Sequence, residues 1–241
     1  MKKFFIIIAV LVCTQDMSAQ LFSKERVQNL QNFDKDRLSW GFILGLNSYN
    51  FNFDYNAIPE GETSPLDGDI QVSGSTGFSV GLLGNMRIND YLDLRLEPMV
   101  TFSQRNLTFS GPDFTDTSDS FREVKSTYVH IPLLLKISTK RLNNFKPFVV
   151  GGISTSINLS SNEDNPDDNS VGEFRMTTNT SYYEVGFGID FYLYYFKFSP
   201  SIRGVFAMSD ELVRDNNPNS QWTSSIDKMQ TRGIFINFTF Q

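Results

Sequence analysis

Apolar and polar residues alternate along the segment YVHIPLLLKI, residues 128–137. One set of alternate positions is aliphatic throughout, and the other set carries His130 and Lys136. Successive side chains of a β-strand point to opposite faces, so this pattern predicts a strand with one apolar and one partly charged face. A single strand of this kind fits several folds, and the recurrence of the pattern along the chain has to decide between them.

The same alternation returns in seven further segments. The eight predicted strands lie at about residues 40–55, 77–88, 92–105, 128–137, 145–159, 183–193, 196–206 and 233–240. In the first strand the apolar positions change phase after Asn47 and Ser48, which predicts a β-bulge there. Three prolines fall within the predicted strands: Pro98, Pro132 and Pro200. A closed sheet has no free edge to accept them, so each is expected to mark a bulge or a rim position.

Long and short connections alternate strictly between these strands. The long connections, residues 56–73, 106–122, 160–177 and 208–228, hold 16 of the 27 acidic residues. Outer-membrane barrels have short turns at one end, long loops at the other, an apolar outer face and a polar interior. We therefore predict an all-β fold, an eight-stranded antiparallel transmembrane β-barrel with up-and-down meander topology, over residues 40–241. A secreted β-sandwich is the alternative, but it predicts neither the loop alternation nor the aromatic final strand.

The first residues have the features of a secretory signal peptide. Lys2 and Lys3 precede an apolar run at residues 4–12, and Met17-Ser18-Ala19 follows. Cleavage after Ala19 gives a signal peptide of residues 1–19 and removes the single cysteine, so no disulfide or thiol chemistry is expected. Residues 20–39 then form a periplasmic N-terminal segment. The expected location is the outer membrane of a Gram-negative cell, with both termini in the periplasm.

Composition and motifs exclude several classes of ligand. The net charge of −6 disfavours nucleic-acid binding, which needs a basic face. A zinc site is not expected, because one histidine and no mature cysteine leave too few ligands. The acidic segment NEDNPDDNS, residues 162–170, lacks the central glycine and closing glutamate of an EF-hand loop, and a solvated loop is expected there. We predict no cofactor, metal or small-molecule substrate, and outer-membrane lipid as the surrounding partner.

The inward positions of the predicted barrel carry many charges. At eight strands the interior is filled by side chains, and buried charges must be paired. We predict an interior ion network of Arg87, Asp93, Arg95, Glu97, Arg105, His130, Lys136, Glu184, Asp190, Lys197 and Arg203. A catalytic triad built on His130 is the alternative, with Asp93 or Glu97 as its acid. Its nucleophile would be one of four inward serines: Ser79, Ser103, Ser154 and Ser199. No nucleophile elbow supports a triad, so no catalytic residue is predicted.

Four segments resemble the PorT-like outer-membrane barrels of Bacteroidetes. They are NFDKDRLSWGFILGLN (32–47), LRLEPMVTFSQRNL (94–107), YVHIPLLLKIS (128–138) and YYEVGFGIDFYL (182–193). Within that superfamily, NFDKDRLSWGF resembles the PorT/SprT proteins of type IX secretion and gliding motility. The resemblance implies a non-enzymatic outer-membrane component of a protein secretion system, and it supplies no catalytic residue. The alternatives are a barrel with an adhesion or envelope-stability role and a barrel enzyme that modifies lipid or peptide.

An eight-stranded barrel is too narrow to pass a folded protein. We therefore expect this one to bind or position other secretion-system proteins. The segment before the first strand mixes apolar and basic residues and carries the most particular part of the resemblance. The candidate partner-binding residues are Phe33, Asp34, Lys35, Arg37 and Trp40. A passive segment that seals the lower end of the barrel is the alternative.

Overall fold

A computed structural model describes residues 27–56, 70–111, 114, 120–166, 169 and 174–241. The predicted signal peptide, residues 1–19, and residues 20–26 lie outside this part of the chain. The elements are a 3₁₀ turn (Phe33–Lys35) and strands β1 (Leu38–Tyr55), β2 (Gln71–Gly74), β3 (Thr76–Arg87), β4 (Leu92–Leu96), β5 (Met99–Thr108), β6 (Phe121–Ser138), β7 (Phe145–Asn158), β8 (Asn179–Tyr192), β9 (Lys197–Ala207) and β10 (Ile226–Phe240). Within the described residues, no helix is long and apolar enough to cross a membrane.

The ten strands form a closed barrel of eight strands, each of which is called a stave because two of them consist of two shorter strands. β2 and β3 together make one stave, interrupted at Ser75, and β4 and β5 make another, interrupted at Glu97 and Pro98. Every stave pairs antiparallel with its neighbours in sequence, and β1 pairs with β10 to close the ring. The predicted up-and-down meander barrel is therefore confirmed.

Several strands extend further than the sequence pattern predicts at the loop end, which is the end of the barrel that carries the long connections. β6 begins at Phe121 and β10 at Ile226, each seven residues before the predicted start. The outward positions of the β6 extension carry Glu123 and Lys125, and the Gln104 side chain of β5 donates to Glu123 at 2.6 Å. The pattern missed these extensions because their outward side chains are polar. The staves thus continue past the apolar belt into water.

The bulge predicted at Asn47 and Ser48 is wrong. The pairing of β1 with β10 and with β3 keeps one register through these residues, and the register shift in β1 lies between Asp54 and Tyr55. Tyr49 is buried inside the barrel, whereas the outward Ser48 is exposed. The apolar row changes phase because the surroundings change: beyond the belt, the outward face meets water and the inward face packs a core.

The expectation that each strand proline marks a bulge or a rim position is wrong for Pro98 and Pro132. The register is unchanged through Pro98, Pro132 and Pro200, and neither Pro98 nor Pro132 lies at a rim. The carbonyls of both mid-barrel prolines still accept bonds, from Leu82 N–H at 2.9 Å and from Glu97 N–H at 3.1 Å. Each proline therefore removes one donor from the ladder without displacing its strand.

The outward faces of the staves form an apolar belt. Leu133 of β6 and Ile189 of β8 are 44% and 38% exposed in it. Aromatic pairs stack near both edges of the belt: Phe42–Phe240 at the short-turn edge (ring centroids 4.9 Å apart), and Phe78–Phe102 (4.6 Å) and Tyr183–Phe206 (5.0 Å) nearer the loops. An apolar band between two aromatic girdles is the outer surface that a membrane requires of a barrel.

Two apolar clusters fill the inside, one in the barrel and one at its loop end. The barrel cluster consists of Ile43, Tyr49, Leu83, Met99, Tyr128, Tyr182, Val205, Ala207 and Phe235. The loop-end cluster consists of Phe51, Ile70, Leu107, Phe109, Val124, Phe174, Met176, Leu212, Trp222, Ile226 and Met229. Phe174, Leu212 and Trp222 come from the connections between strands, so these loops pack onto the loop end of the barrel.

Candidate functional site: the barrel interior and its short-turn end

A chain of ion pairs crosses the barrel interior. Glu97 lies between two guanidinium groups, with Arg95 Nε at 3.1 Å and Arg203 Nη1 at 2.8 Å. Arg203 Nε lies 2.9 Å from Glu184 Oε2, and the other oxygen of Glu184 lies 2.7 Å from His130 Nε2. All five side chains are buried. Strand alternation directs them inward, and ring closure brings distant staves face to face.

A second charged group lies nearer the short-turn end. Lys136 Nζ is 2.5 Å from Asp190 Oδ2, and the Ser199 hydroxyl donates to Asp190 Oδ1 at 2.7 Å. Lys197 is buried beside them, and its ammonium lies 4.6 Å from the centre of the Phe33 ring. Asp190 is thus bound from two sides, and Lys197 contacts the segment before β1.

Arg105 is inside the barrel but away from both charged groups. Its guanidinium donates to the hydroxyls of Tyr128 (2.6 Å), Ser126 (3.1 Å) and Thr231 (3.2 Å), and it lies 4.0 Å from the centre of the Phe51 ring. Hydroxyl groups and aromatic faces stabilise this cation.

The two remaining residues of the predicted network lie near the short-turn end. Asp93 is buried, two residues from Arg95 on the same face of β4. Arg87 is half-exposed at the rim and forms an ion pair with Asp90 of the adjacent turn. Arg87 therefore does not belong to the interior network, because strand β3 ends at this residue.

His130 is also part of a serine–histidine–glutamate arrangement. Its Nδ1 lies 2.5 Å from Ser156 Oγ, opposite the Glu184 contact at Nε2. Sequence reasoning named other serines and acids, because only the β6–β7 register, which pairs His130 with Ser156, identifies the neighbour. Ser156 is 1% exposed, and Glu184 is also bound by Arg203. The arrangement is a hydrogen-bond relay among buried side chains.

A polar network at the loop end was not predicted from the sequence. Asp215 accepts from Arg175 Nη2 at 3.1 Å, from the Asn169 N–H at 3.1 Å and from the Ser220 hydroxyl. The Asn169 carbonyl accepts from Arg122 Nη2 at 3.0 Å. Asn169 is fully buried, so the expectation that residues 162–170 are entirely solvated is wrong at this position. In the sequence, the signal for this network was the presence of basic residues near an acidic loop, but the fold decides which of them pair.

Two loop carboxylates illustrate how the connections are held. Glu211 is fully buried and accepts from the Tyr182 hydroxyl at 2.7 Å and from the Thr231 N–H at 2.9 Å. Hydrogen bonds from Thr178, including its N–H at 2.6 Å, hold the pKa of Glu163 below its usual value.

Among the described residues, no group of three or more His, Cys, Asp or Glu side chains is placed to hold a metal ion.

The segment before β1 lies across the short-turn end. Phe33 meets Tyr192 edge-on, with ring centroids 6.5 Å apart, and Asp34 accepts from the Tyr192 hydroxyl at 2.7 Å. Beneath these contacts is a polar cavity of about 20 Å³, bordered by Asp93, Asp190 and Lys197 among others. A cavity of that size holds about one water molecule. The segment therefore closes this end of the barrel.

The five candidate partner-binding residues lie in three different environments. Phe33 and Asp34 contact the barrel itself. Lys35 and Arg37 are exposed; Lys35 donates to Asn32 at 2.9 Å, and the Arg37 carbonyl accepts from the Arg87 N–H at 2.8 Å. Trp40 is 74% exposed in the apolar belt. Within this set, the two basic side chains are the ones that the structure leaves facing water.

The model of the outer membrane protein beta-barrel domain family matches residues 19–213, most of the chain. The chain belongs to this family. Its location is accordingly the outer membrane. The family is broader than the PorT/SprT resemblance, which stays a prediction. Comparison with curated proteins gives no match.

This chain is similar in fold to solved structures of other outer-membrane barrels. Neisserial surface protein A is 10% identical over 85% of this chain and 98% of its own, with a TM-score of 0.41. OprG of Pseudomonas aeruginosa is 14% identical over 83% and 94%, with a TM-score of 0.41. The outer membrane protein AlkL, solved in DMPC lipid bilayers, is 10% identical over 91% and 92%, with a TM-score of 0.42.

Proposed function

We propose that this protein is a closed, non-enzymatic barrel that anchors and positions other components of a protein secretion system, of the type IX class with gliding motility. The observation that carries the proposal is the filled interior. Ion pairs and two apolar clusters occupy the space inside the staves. A barrel packed in this way offers no conduit, so it acts through the surfaces it presents.

The short-turn end is the working surface in this proposal. Outer-membrane barrels direct their short turns and termini to the periplasm, so in this proposal the segment before β1 lies there. That segment carries the PorT/SprT-like sequence, and its Lys35 and Arg37 face water. Exposed cations fixed on a rigid rim suit an acidic partner protein, whose encounter they would accelerate.

Deletion and point variants in the native cell test this function. Deleting the protein should abolish secretion and surface motility. The double variant Lys35→Glu/Arg37→Glu should do the same while the barrel still inserts, as heat-modifiable gel mobility reports. Lys125→Glu, which reverses an exposed charge at the loop end of the barrel, is the matched control and should secrete normally. Normal secretion without the protein would refute the proposal.

A role in adhesion or envelope stability is the second candidate. It is favoured by the staves that continue past the apolar belt and by the buried network that orders the loop end. A rigid outer end is suited to contact outside the cell. If this candidate is right, the deletion strain secretes normally but loses surface attachment or becomes sensitive to detergent.

A further inference from the structure

The β6–β7 turn, residues 139–144, binds the backbone of the segment before β1. The Asn144 side-chain amide donates to the Val27 carbonyl at 3.0 Å, and its oxygen accepts from the Asn29 N–H at 2.9 Å. One side chain thus supplies a donor and an acceptor to residues two apart. A neighbouring β-strand offers an extended chain the same pair of bonds.

Arg141 of the same turn extends this recognition. Its guanidinium donates to the carbonyls of Asn29 and, at 3.3 Å, of Leu30. The group is held in place by the Asn143 carbonyl, which accepts from its Nε at 2.7 Å, and by the Tyr192 ring, whose centre is 3.7 Å away. A guanidinium fixed on an aromatic face is preorganised for its acceptors.

The four described hydrogen bonds between the turn and residues 27–30 all reach main-chain atoms, and the Arg141 guanidinium also lies 3.7 Å from the Asp34 carboxylate. Val27 is 80% exposed, and Gln28 is exposed as well. The Asn29 side chain makes one bond in the described structure, a donation to the Tyr192 carbonyl at 3.0 Å. A site of this composition selects an extended backbone and places few demands on sequence.

The bound segment adopts a strained conformation immediately after this site. Leu30 has a φ of 48°, in the left-handed region that a leucine rarely adopts. The chain has to reverse there so that Phe33 and Asp34 can reach Tyr192. A segment from another protein would make the same backbone bonds without this reversal, and would therefore compete well with the chain's own residues.

We infer that the β6–β7 turn is a binding site for an extended peptide segment of a periplasmic partner, and that residues 27–30 occupy it at rest. The inference deepens the proposed function, on which the identity of the compartment rests, by naming the chemistry of the partner. Partner and tail use the same bonds, so they exclude one another. Loosening the anchors of the tail should strengthen binding of an added peptide, whereas damaging the turn should weaken it.

The test uses the full chain in lipid nanodiscs and a fluorescein-labelled synthetic peptide that copies residues 27–37. Fluorescence anisotropy reports its binding. Phe33→Ala/Asp34→Ala in the protein should raise peptide affinity at least fivefold, because these residues hold the tail in place. Asn144→Ala should lower it at least tenfold. Tyr195→Ala, at an 84% exposed position of the β8–β9 turn at the same end of the barrel, is the control and should leave it unchanged.

Modified peptides test backbone recognition on the unaltered protein. Methylating the amide nitrogen of peptide residue 29 removes the bond to Asn144 and should weaken binding at least tenfold. Replacing peptide residues 27 and 28 by alanine should have little effect. The inference is overturned if no protein variant binds the peptide, or if N-methylation leaves affinity unchanged. Peptide binding together with normal secretion in the Lys35→Glu/Arg37→Glu strain would refute the proposed function alone.

Discussion

Glu97 and Arg203 are 106 residues apart in sequence, and their side chains meet at 2.8 Å inside the barrel. Glu97 also binds Arg95, and Arg203 also binds Glu184. The connected group therefore contains two anions and two cations, in addition to His130. Buried charges of this kind stabilise the fold only while the set remains balanced.

Removing one cation from this set should lower the free energy of unfolding more than removing a cation and an anion together. Arg95→Met leaves a net buried negative charge and should destabilise the barrel by about 3–5 kcal/mol. Arg95→Met/Glu97→Gln restores the balance, because Arg203 keeps Glu184, and should be more stable than the single variant. Urea unfolding in lipid vesicles, followed by tryptophan fluorescence, measures both.

The second charged group provides the control for that cycle. Asp190 pairs with Lys136, whereas Arg95 pairs with Glu97, so Arg95→Met/Asp190→Asn should be no more stable than Arg95→Met. Equal recovery with Glu97 and with Asp190 would mean that overall charge, rather than the observed pairing, sets stability.

A cation on the belt should impair insertion according to its depth. Leu133→Arg and Ile189→Arg place a charge among lipid tails, at a cost of about 2–4 kcal/mol near the midplane. Ser181→Arg is the control, since it lies on the same face of β8 as Ile189 but beyond the belt. Heat-modifiable mobility in outer-membrane fractions should show loss of the folded form for the first two variants only. If all three variants fold like wild type, the assignment of Leu133 and Ile189 to the lipid-facing belt is contradicted.

The packed interior predicts a barrel without conductance. Phe235 and Leu134 are fully buried on the inward face, together with the ion pairs. Purified protein in planar bilayers should therefore give no stable current steps, under conditions in which a general porin does. A large, long-lived channel would contradict the filled interior and the function proposed from it.

The Ser156–His130–Glu184 arrangement leads to a chemical test. A fluorophosphonate probe labels serines that an adjacent histidine activates and that substrates can reach. Ser156 is enclosed, so the folded protein should remain unlabelled, and Ser156→Ala should behave identically. Labelling that disappears in Ser156→Ala would show an accessible nucleophile and revive the enzyme alternative.

The local sequence pattern was enough to predict the class of fold. Apolar alternation, the order of long and short connections and the signal-like N-terminus predicted the meander barrel, because each follows from local spacing and from the requirement that every strand pair in a membrane. Alternation also assigned inward charges such as Glu97, Glu184 and Lys136. It failed where the surroundings change along a strand, as at Tyr49, and at Arg87, where the strand ends.

Which of these residues meet depends on the tertiary structure. Ser156 becomes the neighbour of His130 through the β6–β7 register, and Arg203 reaches Glu97 across the closed ring. Docking of residues 27–30 on Asn144 depends on a turn more than a hundred residues later in the chain. Periodicity specifies the direction of a side chain but not its partner, because partners are set by strand register and ring closure, which no local pattern contains.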